Sequence, residues 1–335
     1  MSKTVIPSGY RSALSLYETQ IAIGKIKEAF SSELSKALNL VRVSAPLFVD
    51  PKTGLNDDLN GIERPVVFDI ADTKEDAAVV HSLAKWKRMA LGKYGFSAGE
   101  GIWTDMNAIR RDEALDNIHS VYTDQWDWEK IITKDQRNVE YLKQTVRDIV
   151  KAVANTNRML KQEFRQIKTE LSEEVSFTTS QELEDIYPAL SPKERENAYV
   201  KEHGTTFIMQ IGKTLKSGKK HDGRAPDYDD WELNGDILVW NSVLGEALEI
   251  SSMGIRVDAE SLDRQLTLAN AENRRALPFH RMLLENKLPL TMGGGIGQSR
   301  LCMFLLGKAH IGEVQVSVWD KETQRICAEN GVELL

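Results

Sequence analysis

Residues 288–308 read LPLTMGGGIGQSRLCMFLLGK. Gly293, Gly294, Gly295 and Gly297 interrupt an apolar run, and beyond them the apolar positions recur at helical spacing. The stretch predicts a strand, a glycine turn and a helix. Glycine at such a point lets a backbone approach a ligand closely, and a helix N-terminus favours anions. A tight turn with no ligand explains the same glycines. It is not a P-loop, because no Lys-Ser/Thr pair follows, and no dinucleotide fingerprint opens the chain.

Outward from this stretch, helices and strands are interspersed. Ile23, Ile26, Phe30, Leu34 and Leu38 recur at steps of three and four and predict a helix over 15–38. LVRVSAPLFVD (40–50) alternates, and its Pro46 removes a ladder donor, so it predicts an edge or interface strand. Residues 82–91 read as a helix, and IHSVYTDQWDWEKII (118–132) as a strand. A second long helix is predicted over 135–164, with Val139, Leu142, Val146, Ile149, Val150 and Val153 buried. Short helices near 180–187 and 192–203 lead to strands at 205–211, 235–241 and 246–252, then to helix over 260–286. No regular βαβ period appears. The pattern predicts an α+β fold, a mostly antiparallel sheet flanked by helices, in one domain spanning 1–335.

The composition is globular, with 41% hydrophobic and 28% charged residues, which argues against disorder. No apolar run is long enough to predict a membrane span, and MSKTVIPSGYRS lacks the apolar core of a secretory leader. Two cysteines, Cys302 and Cys327, exclude a disulfide framework and predict a reduced, cytoplasmic setting. A net charge of −7 argues against nucleic-acid binding through phosphates. The one basic cluster, KTLKSGKK (213–220), runs into acidic sequence and reads as a solvated loop.

The chemistry-bearing residues are arginines, acids and glycines. In HSVYTDQWDWE, Gln125, Asp127 and Glu129 share one face of a strand while Trp126 and Trp128 share the other. That pattern suits a polar site floor backed by an aromatic core, or a solvent-facing sheet surface. AIRRDE supplies Arg110 and Arg111, planar forks suited to phosphate or carboxylate, or a surface charge cluster. Asp229, Asp236 and Glu249 sit in strand-like surroundings, where acids near phosphates suggest Mg²⁺. In HSLAKWKR, Lys85 and Lys87 face different directions, so one is expected to enter a site while the other stays in water. No GxSxG elbow and no HExxH pair is present, which argues against nucleophilic and zinc hydrolysis. What remains is nucleotide chemistry with no covalent enzyme step.

Three segments resemble, in order, the signature motifs of class II aminoacyl-tRNA synthetases. LVRVSAPLFVD with its preceding helix resembles motif 1, AIRRDEALDNIHSVYTDQWDWE motif 2, and GGGIGQSRL motif 3 with Arg300 as its arginine. The motif 3 Arg-Asp pair is here Ser299-Arg300, and the adenine-stacking Phe of motif 2 falls near Thr123. A closer resemblance covers nearly the whole chain. HSLAKWKR, FSAGEG, HSVYTDQWDWE, RAPDYDDW, LNGDILVWN, SSMGIRVD and GGGIGQSRL are together similar to the ammonia-dependent asparagine synthetases, the aspartate–ammonia ligase family.

This resemblance implies a class II catalytic core that forms asparagine from aspartate, ammonia and ATP through β-aspartyl-AMP, as a homodimer without nucleic-acid or membrane partners. Arg110 would hold the α-phosphate, and Arg300 would lie against the adenine and distal phosphates. Asp236 and Glu249 would take Mg²⁺, with Asp229, Ser252, Arg256, Gly295 and Gly297 completing the nucleotide site. Ser82, Lys87, Gln125 and Asp127 would bind aspartate, Lys87 facing a substrate carboxylate. Asp57 in NDDLNG would attract ammonium and take its proton, or serve as a turn carboxylate. A nucleotide-binding paralogue without catalysis is the alternative; loss of the motif arginines would favour it, and both are present.

Overall fold

The computed structural model describes residues 4–57, 59 and 63–335. Met1–Lys3 of the N-terminal stretch, and Asp58, Asn60 and Gly61 of NDDLNG, lie outside the described residues. The long N-terminal helix α1 (Leu16–Leu38) starts where expected, because Ser15 and Glu18 close a capping box. It ends at Asn39, a left-handed residue that leads into strand β1 (Leu40–Arg42). The expected strand over 40–50 is in fact two short ones, β1 and β2 (Phe48–Val49). Pro46 falls between them: it cannot donate to a ladder, so the chain leaves one sheet and joins another.

That second sheet is small and was not foreseen. It comprises β2, β3 (Val67–Ile70) and β4 (Glu75–Val79) in the order β2-β4-β3. Asp69, Glu75 and Asp76 are poor strand formers, so neither propensity nor alternation marked the hairpin. Helix α2 (Ala84–Tyr94) follows, then β5 (Gly101–Ile109) and β6 (Tyr122–Ile131), and then α3 (Val139–Glu163). β7 (Ser176–Thr179), α4 (Ser180–Ile186), α5 (Pro192–His203) and β8 (Thr206–Met209) lead to the hairpin of β9 (Asp229–Asn241) and β10 (Glu246–Arg256).

The helix expected over 260–286 is broken into α6 (Ala259–Leu268), a 3-10 turn (Glu272–Ala276) and α7 (Pro278–Leu284). Asn270 is left-handed, and Pro278 forces Leu277 into an extended conformation. The chain closes with β11 (Thr291–Gly297), α8 (Gln298–Leu305) and α9 (Lys321–Glu329). Among the described residues the large sheet runs β1-β5-β6-β11-β10-β9-β8-β7, antiparallel except for the end pairs β1–β5 and β7–β8. The α+β expectation is met.

The two faces of this sheet bury different things. Trp126, Trp128, Met253, Ile296 and Ile237 face α1 and α3, whose stripes of Ile26, Phe30 and Leu34 and of Leu142, Val146 and Ile149 are fully enclosed. Phe30 and Trp126 rings meet at 4.6 Å. On the other face Met106 and Ala108 pack against Leu262, Leu266, Phe279 and Leu283 of α6 and α7. Leu183 and Val200 of α4 and α5 cover Ile208 and Leu238 further along. Between those two helical covers part of the sheet is left open.

The glycines do not form a turn; they are β11 itself, with Gly297 capping α8. The cause is lack of room. A Cβ on Gly293 would strike the Glu129 carboxylate and the Arg256 guanidinium, and one on Gly295 would strike the Gln125 amide. On the core face a Cβ on Gly294 would lie 2.8 Å from the Ser252 carbonyl and against Met253 Cβ. Gly294→Ala is therefore expected to destabilise the fold by roughly 1–3 kcal/mol through overpacking. Gly24→Ala, on the exposed side of α1 with nothing within 4 Å, is expected to stabilise it by roughly 0.5–1 kcal/mol. Urea denaturation of both variants measures the contrast.

Candidate active site

Strand register lays the polar residues in rows on the face opposite the tryptophans. Asp127 of β6, Gly295 of β11, Ser252 of β10 and Asp236 of β9 stand side by side. Glu129, Gly293 and Gly254 form the next row, and Gln125 pairs with Gly297. Because β11 carries no side chains there, a groove runs along it, flanked by the side chains of β6 and β10. It opens into a cleft of about 300 Å³. Residues of the 222–229 segment form a wall of it, and Asp57, Ser82, Ile118, His119, Ile311 and Arg300 also line it.

Beneath the floor lies a buried ionic network. Arg256 donates through Nε and Nη2 to Glu129, the latter at 2.7 Å, and through Nη1 to Asp229. Lys87 Nζ donates to the Asp127 carboxylate and to the Trp128 carbonyl at 2.9 Å, with Glu129 3.9 Å away. Burial pulls the Lys87 ammonium below its ordinary pKa, while Asp127 and Glu129 oppose the shift. Burial likewise pushes the Asp127 carboxyl up against the pull of Lys87. Glu129 also feels burial, but Arg256 and Lys87 outweigh it and hold its carboxyl below the ordinary value.

The side chains facing the cleft are freer. Arg110 follows the last residue of β5, and among the described residues its guanidinium makes no hydrogen bond or ion pair; its Nε is buried without a partner. A planar fork left open in a cleft is suited to an anion with paired oxygens. Arg300 donates from Nη1 to the Glu249 carbonyl at 3.0 Å, and Ser82 Oγ donates to Asp57 at 2.9 Å. Asp57 also accepts from the Leu59 amide at 2.8 Å, so its turn role and its cleft role coexist. Seven carboxylates and four guanidinium groups line the cleft, leaving it acidic.

Asp57, Ser82, Arg110, Gln125, Asp127, Asp229, Glu249, Ser252, Arg256, Gly295, Gly297 and Arg300 all line this one cleft. Two expected residues do not. Lys87 sits under Asp127, so the expectation that it faces a substrate carboxylate directly is corrected: Asp127 stands between. Asp236 lies behind Arg224, whose Nη2 bonds both its carboxylate oxygens. Burial pushes the Asp236 carboxyl up to about 8 against the pull of Arg224, with Glu249 adding repulsion. The expectation that one of Lys85 and Lys87 stays in water is also wrong, since both are enclosed, Lys85 against Asp227. Arg111 is exposed and lies outside the cleft, a surface charge.

Sequence reasoning missed Arg224, His119, Tyr228 and Gln315, which also line the cleft. Arg224 and Tyr228 lie within RAPDYDDW and His119 opens HSVYTDQWDWE, so the strings marked them but no spacing argument did. Gln315 stands in an irregular stretch with no such signal; it donates to Ser299 at 3.0 Å and braces Asp124.

Comparison with known proteins gives the family and the fold. The family model described as aspartate-ammonia ligase matches residues 17–331. The chain is similar to the aspartate–ammonia ligase of Clostridium tetani, 61% identical over 334 residues, covering 99% of this chain and 98% of that one. It is 60% identical over 336 residues to that of Clostridium perfringens, with both chains covered completely. Among solved structures, the asparaginyl-tRNA synthetase of Entamoeba histolytica with asparaginyl-adenylate superposes at a TM-score of 0.67 and 14% identity. That match covers 90% of this chain and 66% of the synthetase. The Pyrococcus horikoshii asparaginyl-tRNA synthetase gives 0.66 at 17% identity, covering 89% and 68%. At such identities the likeness is one of fold, and the fold is the class II synthetase core.

Removing Arg256 and removing Arg110 should differ sharply in their effect on stability. Arg256→Ala strands Glu129 and Asp229 inside the protein and is expected to cost about 3–5 kcal/mol, the usual penalty for breaking a buried pair. Arg110→Ala removes a cation with no partner and should change stability by no more than about 0.5 kcal/mol. Chemical denaturation without ligand measures both.

Proposed function

The chain belongs to the aspartate–ammonia ligase family, an enzyme family of asparagine biosynthesis, and from that premise we propose a two-step reaction carried out in this cleft. The β-carboxylate of L-aspartate attacks the α-phosphorus of ATP; a C–O–P linkage forms, pyrophosphate leaves, and β-aspartyl-AMP results. Ammonia then attacks the acyl carbon, the acyl–oxygen bond breaks, and L-asparagine and AMP are released with one proton. The observation that carries this reading is the guanidinium of Arg110, without a partner among the described residues, standing in the same cleft as Gln125 and Asp127.

Carboxylate and phosphate oxygens repel, so the first step needs fixed positive charge and alignment. Arg110 supplies that charge at the α-phosphate without first breaking a protein contact. Arg300, tethered through one nitrogen to the Glu249 carbonyl, keeps its plane available to stack on the base. Ser252, Gly295 and Gly297 let the nucleotide lie close to the backbone along the groove. Ser82, Gln125 and Asp127 receive aspartate, and Lys87 acts by holding Asp127 in place. Asp57 attracts ammonium and accepts its proton. Asp229 and Arg256 hold each other at the floor, which makes them supports for the nucleotide end.

The donor set fits Mg²⁺ in part. Glu249 faces the cleft, with Arg300 3.9 Å from its carboxylate, whereas Asp236 becomes available only when Arg224 releases it. Among the described residues no three His, Cys, Asp or Glu side chains group as a metal cage, so nucleotide oxygens would have to complete the shell. When bound there, Mg²⁺ would neutralise polyphosphate charge in a cleft whose own charge is negative.

We place the whole chain in one catalytic domain acting as a cytoplasmic homodimer. Among the described residues no helix is long and apolar enough to cross a membrane. Among the described residues β1 pairs with β5 alone, which leaves its outer edge to meet a second copy near Pro46. Nucleic acid is not expected as a partner. Three of the lysines in KTLKSGKK are engaged within the chain: Lys213 with Glu232, Lys216 with Asp185 and Lys220 over the Trp231 ring.

Aspartate-dependent release of AMP with ammonium tests the reaction directly. Asparagine should form with ammonium and not with glutamine or tRNA as acceptor; equal synthesis from glutamine in ammonia-free buffer would refute the nitrogen source. Arg110→Ala should lower kcat by roughly 10²-fold or more. Arg300→Ala should raise the KM for ATP, because stacking acts on ground and transition states alike. Wild-type kinetics in either variant would remove that residue from the site. Sedimentation at micromolar concentration should give twice the 37.8 kDa chain mass.

A further inference from the structure

Behind the 222–229 wall lies a second buried charge cluster that the reaction above does not use. Asp227 is fully enclosed, and one oxygen, Oδ2, accepts from three elements at once. Lys85 Nζ of α2 lies at 3.2 Å, Arg274 Nη1 of the 3-10 turn at 3.0 Å and His280 Nε2 of α7 at 2.9 Å. Lys85 and His280 are themselves buried. Lys85 pulls the Asp227 carboxyl well below the usual carboxylate range, with His280 and Arg274 helping, although burial works against them.

The cluster sits where two walls of the cleft meet. Asp227 stands between Arg224 and Ala225 on one side and Tyr228 and Asp229 on the other, all four of which line the cleft. Gln265 of α6 pins the same segment, donating to the Pro226 carbonyl at 3.0 Å and the Asp229 carbonyl at 2.9 Å while accepting from the Trp231 amide. Lys85 belongs to the helix whose first residue, Ala84, also lines the cleft. Two positions on, Lys87 of that helix holds Asp127 at the floor. The two lysines thus divide the work: Lys87 secures the floor, and Lys85 ties that floor to the facing wall. Buried ion clusters cost desolvation that an apolar contact would avoid, so their retention points to a demand for fixed geometry.

We propose that Lys85, Asp227 and His280 form a brace that sets the spacing between the floor carrying Asp127 and the 222–229 wall, acting as positioning residues for the joining of the two substrates. This rests on the reaction proposed above for the same cleft. Loosening the brace shifts the wall against the floor, which should impair the step that needs both substrates in line more than the binding of either alone.

Lys85→Met keeps the volume and removes the cation; His280→Leu removes one donor; His280→Gln keeps a donor near the place of Nε2. For Lys85→Met, kcat should fall at least about tenfold, while the Kd for ATP alone, measured by calorimetry, should stay within about threefold of wild type. His280→Leu should show the same split, and His280→Gln should restore turnover. Amide exchange should rise in 223–231 and 82–87 and stay unchanged in α3. Unchanged kcat with a lowered melting temperature, or a parallel loss of kcat and ATP affinity, would overturn the brace. If wild-type protein releases no AMP with aspartate and ammonium, the proposed reaction falls, and unaltered exchange in those segments would then overturn the brace as well.

Discussion

The ion pair between Arg256 and Glu129 is the constraint around which the site is arranged. It bridges two strands that are not neighbours, β6 and β10, by passing over β11 between them. The crossing is possible only because Gly293 has no side chain at that point. Both partners are buried, so neither can turn to water; each depends on the other and on Asp229 for compensation. The pair fixes three strands relative to one another, and with them the rows that carry Gln125, Asp127 and Ser252.

From that pair the rest of the architecture follows outward. The tryptophan face of β6 is locked against α1 and α3 by large, well-packed side chains, so the strand cannot tilt. Its polar face is then presented at a fixed height above the core, and the network of Lys87, Asp127, Glu129 and Arg256 holds the floor from below. Arg110 and Arg300, one after β5 and one in α8, stand at the margins with spare hydrogen-bonding capacity. The centre of the site is spent on itself, and the edges are open to ligand.

Much of this was legible in the sequence because period and burial agreed. The stripes of α1 and α3, the two faces of β6 and the β9–β10 hairpin all emerge from apolar spacing. The glycine run was visible but misread: glycines usually punctuate, and nothing in the sequence says that Glu129, Gln125 and Met253 would occupy the space their side chains leave. The small β2-β4-β3 sheet escaped notice because charged residues populate its hairpin. Motif position brought twelve of the expected site residues to the cleft. It did not reveal that Lys87 and Asp236 would be screened by Asp127 and Arg224, since pairing between distant residues leaves no local trace. Lys85 was misjudged for the same reason: its partner Asp227 is 142 positions away.

The excess of carboxylates over guanidinium groups in the cleft has a bearing on which solutes gather there. A negative cavity concentrates small cations and depletes polyanions before any specific contact is made. On the reaction proposed above, that field favours ammonium at the mouth and disfavours a nucleotide whose charge is not partly neutralised. Salt weakens both tendencies, because the field is screened beyond about 10 Å at 0.1 M ionic strength. On that reaction the charge that draws the nitrogen donor acts as a toll on the unescorted nucleotide, so that ionic strength shifts the two substrates' capture in opposite directions.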